Sequence, residues 1–294
     1  MTVTIETIRD AAKLLEGEVN RTPAMRVRRL SQMTGAEVYL KLENLQVTGS
    51  FKVRGAGVKL ASLTDDEKAK GVVAASAGNH AQGVAFHAGR HGLDATIYMP
   101  EGTPFTKVGR TEDLGATVVL EGTDFNAARD AAIAHAEATG KLFIAPFDDE
   151  HVIAGQGTVA LEFLEDVPDL DAMIVPIGGG GLMAGCAVAA HAHDQRIEMI
   201  GAQAGLFNSM AAAIAGKPFS GGGTTIAEGI AVKIPGDITQ PIIAEHVSDI
   251  TELSEEQLEA AVLLLAEGHR IVAEGAGASG VAALLAAGGK FAGK

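Results

Sequence analysis

Short apolar runs rich in β-branched residues alternate with alanine-rich stretches along most of this chain. The runs with the length and composition of buried strands are 71–75, 95–99, 117–120 and 172–177. Each is followed within a few residues by a helical pattern, and this repeated order predicts an α/β fold with mainly parallel sheets and helices on both faces. Ligands of such folds bind at the carboxyl ends of the strands. The loops that follow these runs are therefore the expected functional segments.

Composition limits both the size of the fold and the kinds of partner. A chain of 294 residues with 47% hydrophobic content can bury a large core, as two compact lobes or as one large α/β unit. The formal net charge of -14 argues against nucleic acid as a partner. The longest apolar runs, such as 260–266, are too short to span a bilayer, and we expect no signal peptide. Since a single cysteine, Cys186, also suits a reducing compartment, the sequence predicts a cytoplasmic protein without a membrane partner.

Two segments carry helix signals of their own. Thr64 and Glu67 have the spacing of a capping box, which predicts that a helix begins there. The pattern of 251–268 predicts a long amphipathic helix near the end of the chain.

Lys52 stands in an apolar setting directly after the turn 48–50. A lysine ammonium is costly to bury unless it loses its proton or its nitrogen enters a covalent bond, which makes Lys52 a candidate for covalent chemistry with a carbonyl group. The plainer interpretation places Lys52 on the solvated face of the next helix. For a lysine taken alone this plainer interpretation is the better one, and only the further motifs described below favour covalent chemistry.

Four successive glycines, Gly178, Gly179, Gly180 and Gly181, lie between an apolar run and the predicted helix 183–192. Because glycine loses much backbone entropy on folding, a bare turn explains four in a row poorly. Backbone N–H groups at the start of a helix favour an anion, so we expect a phosphate here. The residues that follow do not match a P-loop or a dinucleotide-binding loop.

A second loop, Ser76, Ala77, Gly78, Asn79 and His80, follows the run 71–75 and leads into a helical pattern. It is placed to offer N–H groups to a carboxylate or a phosphate. The alternative is a serine N-cap with a glycine turn, which this motif alone also fits.

Two other patterns predict no site. A G-x-G-x-x-G match at 275–280 has no convincing strand before it, so we do not expect it to bind a dinucleotide. His191 and His193 have no cysteine or carboxylate partner in register, and we expect them to be solvated rather than to bind a metal.

Five motifs, in matching order, resemble the threonine dehydratase and serine racemase group of pyridoxal phosphate enzymes. They are T-G-S-F-K-V-R-G-A, S-A-G-N-H-A-Q-G-V-A, A-G-Q-G-T-V-A-L-E, P-I-G-G-G-G-L-M-A-G and A-E-G-I-A-V, and the resemblance runs from about Arg21 to Ala283. It implies that Lys52 is the Schiff-base lysine, that Phe51 is its aromatic neighbour and that Asn79 contacts the ring hydroxyl of the cofactor.

The resemblance also implies the rest of the cofactor site, the substrate site and the domain organisation. The glycine loop with Leu182 would hold the cofactor phosphate, Glu274 would belong to the cofactor site, and the loop of Ser76 to His80 would bind the substrate carboxylate. The expected fold is fold type II, with two open, mainly parallel twisted-sheet lobes. Residues 46–146 would form a small mobile domain, residues 1–45 and 147–294 a large one, and the enzyme would be a homodimer or homotetramer.

The implied activity is a dehydratase or ammonia-lyase reaction on a small amino acid. L-Threonine would give 2-oxobutanoate and ammonia, and L-serine would give pyruvate. A dehydratase of another β-hydroxy amino acid such as 3-hydroxyaspartate, a serine racemase and a non-catalytic cofactor carrier are the alternatives.

Three departures from the family pattern bear on this activity. The chain stops at Lys294, before the S-G-G-N or C-G-G-N turn that serves the pyridine nitrogen in the family, so we expect a truncated sequence. Gln203 and Ser209 stand where the racemase branch has acidic cation ligands, and we expect no metal. Ala77 stands at the second serine of the racemase loop S-S-G-N-H, which predicts poor racemisation.

Overall fold

The computed structural model describes residues 2–294, so Met1, the first residue of the predicted large domain, lies outside the described residues. The α-helices, in chain order, are α1 (Ile5–Leu14), α2 (Arg28–Thr34), α3 (Lys52–Ala61), α4 (Asp65–Lys70), α5 (Asn79–His91), α6 (Phe105–Glu112), α7 (Phe125–Thr139), α8 (Glu150–Asp166), α9 (Gly181–His193), α10 (Ser209–Ile214), α11 (Thr239–His246), α12 (Glu255–Leu263) and α13 (Gly275–Ala286). The strands are β1 (Ala24–Arg26), β2 (Tyr39–Lys41), β3 (Val72–Ala75), β4 (Ala95–Met99), β5 (Thr117–Leu120), β6 (Leu142–Phe143), β7 (Ala172–Pro176), β8 (Glu198–Ala204) and β9 (Asp249–Leu253).

Two parallel sheets form the centre of the molecule. One has the order β5-β4-β3-β6 and the other β7-β8-β9, while β1 and β2 form a separate antiparallel pair. The predicted strand runs are confirmed as β3, β4, β5 and β7, with ends that shift by at most one residue. Every residue of β3 and β4 is buried, as expected for strands covered by helices on both faces. The predicted α/β fold is therefore confirmed.

The structure corrects the helix predicted for 251–268. Thr251 to Leu253 belong to β9, which pairs with β8, and Ser254 then caps α12 through a capping box with Gln257. After α12 the chain continues as one π-helical turn, Leu264–Gly268. The periodicity hid the strand because its apolar residues run on into the helix, although the S-x-x-Q spacing marks the true start. The capping box of Thr64 and Glu67 is confirmed.

Three helices, α3, α8 and α9, pack against one another through glycines. A Cβ built at Gly155 would lie 2.7 Å from the carbonyl oxygen of Arg54 in α3. A Cβ at Gly185 in α9 would lie 2.6 Å from the backbone nitrogen of Gly157 in α8 and would also collide with the carbonyl oxygen of Ile153. The helix backbones therefore approach more closely than larger residues allow, and this packing fixes the position of α3, which begins at Lys52.

Separate hydrophobic clusters surround the two parallel sheets. Residues of β3, β4 and α5 contribute to one core, whereas β7, α8 and α9 contribute to another. The division into a small domain, 46–146, and a large domain, 1–45 with 147–294, stays a prediction. Among residues 2–294, no helix is both long and apolar enough to cross a lipid bilayer.

The glycine packing predicts a large cost for one methyl group. We expect Gly185→Ala to lower the free energy of unfolding by about 1–3 kcal/mol, because the added carbon overpacks a backbone contact. Gly109→Ala in α6 is the matched control: within residues 2–294 no atom lies within 4 Å of its Cβ, so we expect a gain of about 0.5–1 kcal/mol. Urea unfolding of both variants measures the difference, and equal midpoints would contradict the packing argument.

Candidate active site

A large cleft of about 1730 Å³ opens at the carboxyl ends of β3 and β7. Its walls include the start of α3, the loop 76–80, the glycine loop 178–181 and Glu274. Small-molecule sites usually measure about 300–1,000 Å³, so this cleft has room for a cofactor together with a small substrate. The structure thus brings together the predicted functional segments, which are far apart in sequence.

Lys52 is partly buried and lines this cleft. Its Nζ donates a hydrogen bond to the carbonyl oxygen of Pro146 at 2.7 Å and lies 5.6 Å from the ring centre of Phe51. Burial lowers the pKa of Lys52 from its ordinary value to about 8, and the negative charge of Glu274 opposes that effect. The amine therefore has a larger neutral fraction near neutral pH than an exposed lysine has. A neutral amine is a nucleophile and a base.

The backbone of Lys52 is held from the small-sheet side as well. A Cβ built at Gly83 in α5 would lie 3.1 Å from the carbonyl group of Lys52, so α5 packs closely on the first turn of α3. This contact leaves the lysine side chain free to reach into the cleft while its main chain is fixed.

The glycine loop has no space for side chains. A Cβ at Gly179 would strike the ring of Phe147, and one at Gly180 would lie 2.6 Å from the hydroxyl oxygen of Thr239. Gly180 also has a positive φ of 101°, which favours glycine. The loop therefore presents bare backbone to the cleft.

Helix α9 begins directly after this loop. In the described part of the chain, no side chain caps α9, which leaves its first N–H groups available to an anion. Behind the loop, the hydroxyl of Thr239 donates to the carbonyl oxygen of Gly179 at 2.6 Å. The carboxylate of Asp148 accepts N–H bonds from Asp237 and Ile238, which ties the adjoining segment in place. A rigid backbone cradle of this kind fits a phosphate group.

The loop from Ser76 to His80 forms the second N–H-rich wall. The N–H of Ser76 donates to the carbonyl oxygen of Tyr98, and the N–H of Gly78 donates to the Ser76 hydroxyl oxygen at 3.1 Å. Gly78 is the N-cap of α5, and within residues 2–294 no side chain caps this helix. Ala77 is partly buried and packs against the core of the small sheet, while it also lines the cleft.

His80 differs from the other residues of this loop. Its imidazole is buried, and Nε2–H donates to the carbonyl oxygen of Ile144 at 3.0 Å. Burial and the nearby positive charge of Lys52 lower the pKa of His80 to about 3, so the ring is neutral at physiological pH. The imidazole anchors the loop, and the backbone N–H of His80 is the part that is suited to bind an anion.

Asn79 and Glu274 meet across the cleft. The Asn79 Nδ2 donates to the Glu274 carboxylate at 2.8 Å, although the two residues are 195 positions apart. Glu274 is the N-cap residue of α13, on the side of the large sheet. The contact joins the two parts of the site and orients the amide next to Lys52.

Sequence reasoning missed several supporting residues. Thr239 holds the glycine loop, Asp148 holds the adjoining segment at Asp237 and Ile238, and Arg54 binds Glu43 and Glu162, but these residues lie 11 to 108 positions from their partners. Pairing over such separations gives no local pattern in the sequence.

At the two positions where the racemase branch has acidic cation ligands, the side chains of this chain form hydrogen bonds with backbone atoms instead. Gln203 is fully buried and its Oε1 accepts a hydrogen bond from the N–H of Ala211, and the Ser209 hydroxyl donates to the carbonyl oxygen of Val232.

His191, which we expected to be solvated, is only partly exposed, because its ring contacts His246 and the carbonyl oxygen of Ile197.

Comparison with known proteins identifies relatives across nearly the whole chain. An L-threonine ammonia-lyase of Thermotoga maritima is 47% identical over 291 residues, which cover 96% of this chain and 71% of the relative. A catabolic L-threonine dehydratase of Escherichia coli strain K12 is 45% identical over 285 residues, which cover 96% and 87%. These matches confirm the resemblance to the threonine dehydratase and serine racemase group.

Solved structures agree with this assignment. A threonine deaminase from T.th. has a TM-score of 0.92 at 36% identity, with coverage of 98% of this chain and 94% of the other. Maize serine racemase also has a TM-score of 0.92, at 34% identity, with coverage of 97% and 89%. A sequence model of the pyridoxal-phosphate dependent enzyme family matches residues 15–294. With these relatives, its backbone cradle at the start of α9 and its partly buried lysine, the chain belongs to the fold-type II pyridoxal-phosphate dependent enzymes.

Proposed function

We propose that this enzyme removes ammonia from L-threonine, and from L-serine, to give a 2-oxo acid: the β-hydroxyl leaves as water, and one water is taken up again when the resulting imine hydrolyses to the 2-oxo acid and ammonia. The observation that carries the proposal is the 45–47% identity, over 96% of the chain, to relatives named for L-threonine breakdown. Among solved structures, the serine racemases at 34% and the threonine deaminases at 32% and 36% are equally similar, so the preference rests on the relatives named for L-threonine breakdown. The cleft supports the proposal because it places a lysine amine between two N–H-rich loops.

We assign the cofactor to the wall built by the glycine loop. Its phosphate would bind the N–H groups of the Gly178–Gly181 loop and Leu182, its ring would lie near Phe51, Asn79 and Glu274, and Lys52 would hold it covalently. When bound, pyridoxal phosphate accepts amines at its aldehyde carbon and delocalises the charge that develops on a substrate carbon. The position of Lys52 on the cleft wall, together with both loops, supports this assignment.

Lys52 is also the proposed base. Its neutral amine can take the proton from the α-carbon of the substrate once it is no longer bonded to the cofactor. The carbonyl oxygen of Pro146 orients Nζ through the 2.7 Å hydrogen bond, and it would also stabilise the ammonium that forms. Loss of the β-hydroxyl can then follow.

The substrate carboxylate would bind at the start of α5. The N–H groups of the loop and the Ser76 hydroxyl can donate to it, and the helix N-terminus adds a favourable electrostatic contribution. Because His80 stays neutral and bonded to Ile144, the loop keeps its shape when an anion arrives. Carboxylate recognition thus orients the α-proton towards Lys52.

We further propose that residues 46–146 act as the mobile domain that closes over the substrate, which excludes water during proton transfer. Lys107 in α6 reaches Glu228 at 2.6 Å, and both line the cleft. As an exposed ion pair it contributes roughly 0–1 kcal/mol at most, which suits a contact that must open and close.

The assembly and cellular location are also proposals. A homodimer or homotetramer is supported by large apolar side chains outside the cleft that this single chain leaves exposed, such as Met33, Phe105 and Leu263. A cytoplasmic location is supported by the acidic composition and the single buried cysteine, Cys186.

The first prediction about the activity concerns substrate choice and Lys52. L-Threonine should give the highest kcat/KM among L-threonine, L-serine and 3-hydroxyaspartate, measured as 2-oxo acid formation.

Lys52→Ala should lose activity by about 100-fold to 10,000-fold or more, because the residue that anchors the cofactor is also the base. Lys59→Ala, on the same helix but paired with Asp149, should keep its turnover. Full activity of Lys52→Ala would contradict the assignment.

The second prediction concerns the depressed pKa of Lys52. Only the neutral amine reacts with the aldehyde, so the rate of pyridoxal phosphate binding to cofactor-free protein should rise with pH through about 8 and then level off. Glu274→Gln should move that midpoint to lower pH, since the carboxylate raises the pKa of Lys52. Stopped-flow absorbance measures both rates. A rise that continues to about pH 10, as for an exposed lysine, would contradict the desolvation argument.

The third prediction concerns Ala77. Racemisation needs a proton donor on the cofactor face opposite Lys52, and an alanine at this position has no proton to give. Chiral analysis of L-serine incubations should therefore find little D-serine relative to pyruvate for the wild type and a clear gain for Ala77→Ser. Abundant D-serine from the wild type would show that water or another group supplies the proton, and that Ala77 only packs the loop.

A further inference from the structure

Three potential metal ligands lie together at the far end of α5, away from the cleft. The donor atoms of Glu18, His87 and His91 all lie within 4.8 Å of one another. None of the three lines the active-site cleft. His87 and His91 are one helical turn apart, with their rings nearly parallel, and Glu18 comes from the segment that follows α1.

His87 is set up as a ligand by its surroundings. It is 1% exposed, and Nε2–H donates to the carbonyl oxygen of Val53 at 3.0 Å. Gly57 makes room for this ring, because a Cβ there would lie 2.6 Å from Nε2. With Nε2 carrying the proton, Nδ1 presents a lone pair towards Glu18, whose carboxylate is 3.9 Å away and beyond hydrogen-bond range. A histidine bound to a metal typically donates its other N–H to a carbonyl oxygen in this way.

The other two donors complete a concave, partly open group. Nε2 of His91 lies 3.1 Å from the Glu18 carboxylate, and these side chains are 49% and 25% exposed. Tetrahedral ligands at about 2.0–2.1 Å from a zinc ion stand about 3.3 Å apart, so a movement of well under 2 Å brings all three into place. One coordination position would stay open to water.

We propose that Glu18, His87 and His91 form a binding site for Zn²⁺ or a similar divalent transition metal. Two imidazole nitrogens and one carboxylate oxygen are ligands that suit zinc, whereas magnesium and calcium favour oxygen ligands alone. The metal would join the segment after α1 to the last turn of α5. That helix begins at Asn79, about 18 Å away along its axis, so the site is separate from the cofactor.

Arg90 is the group that competes with a metal. Its Nε forms an ion pair with the Glu18 carboxylate at 3.0 Å, and its Nη2 donates to the carbonyl oxygen of Gly17. The side chain is 46% exposed, so it can leave without opening the core. If the cluster is only a surface ion-pair group, Arg90 stays and no metal binds.

Zinc binding by the intact holoenzyme tests the proposal. After removal of metals with a chelator and dialysis, equilibrium dialysis with Zn²⁺ alone should find one ion per chain that His91→Ala and Glu18→Gln each weaken by at least about 10-fold. His193→Ala, an exposed histidine at the end of α9, is the matched control and should bind as the wild type does. Arg90→Gln should tighten binding, because it removes the competing cation.

Two variants at partly exposed positions are used because replacement of the buried His87 would also disturb the core. Cobalt absorption provides a second readout, since Co²⁺ at this site should give the visible bands of a four-coordinate ion, and these should vanish in His91→Ala. Wild-type binding that is unchanged in His91→Ala and Glu18→Gln, or no stoichiometric zinc, would overturn the proposal.

Discussion

A fully buried guanidinium holds the catalytic region together. Arg54 lies two residues after Lys52 and donates hydrogen bonds to the carboxylates of Glu43 and Glu162 at 2.7–2.9 Å. Burial alone would lower the pKa of Arg54, but the bonds to these carboxylates outweigh burial and raise it, so the group stays charged. Since loss of one partner of such a pair costs about 3–5 kcal/mol, Arg54 fixes the first turn of α3 against the β2 region and α8.

The same helix is held on its other faces by backbone contacts. Gly155 brings α8 against the carbonyl group of Arg54, Gly83 brings α5 against that of Lys52, and His87 binds the carbonyl oxygen of Val53. Each of these contacts is made to a main-chain carbonyl group of α3, and none involves the side chain of Lys52. Within residues 2–294, the hydrogen bond of the lysine side chain goes to the carbonyl oxygen of Pro146, so the amine can exchange one bond for others without disturbing the helix.

Local patterns explain why so much of the site could be predicted from sequence. Lys52 and the two loops are each contiguous motifs whose geometry depends on glycine and on helix starts, and the structure gathers them at the strand ends as the α/β rhythm predicted. The roles of the individual residues stay predictions. The error at 251–268 arose where β9 is followed by α12 with a single residue, Ser254, between them.

Contacts between residues far apart in sequence could not be predicted from local patterns. The contact of Asn79 with Glu274 depends on how the two sheets are placed, and that of Thr239 with Gly179 on how α11 packs beside α9, and neither can be recognised from the residue types alone.

Helix α5 contributes to the cleft, to the packing around Lys52 and to the proposed metal site. Its N-terminal turn faces the cleft and offers N–H groups to an anion, while its C-terminal turn carries His87 and His91. Between them, Gly83 lets it lie directly on the backbone of Lys52. Any shift of α5 along its axis would therefore change the proposed carboxylate site and the lysine contact together. Because a packed helix moves as a rigid body, the N–H groups proposed to bind the substrate and the backbone of the proposed base, Lys52, are mechanically coupled through this one element.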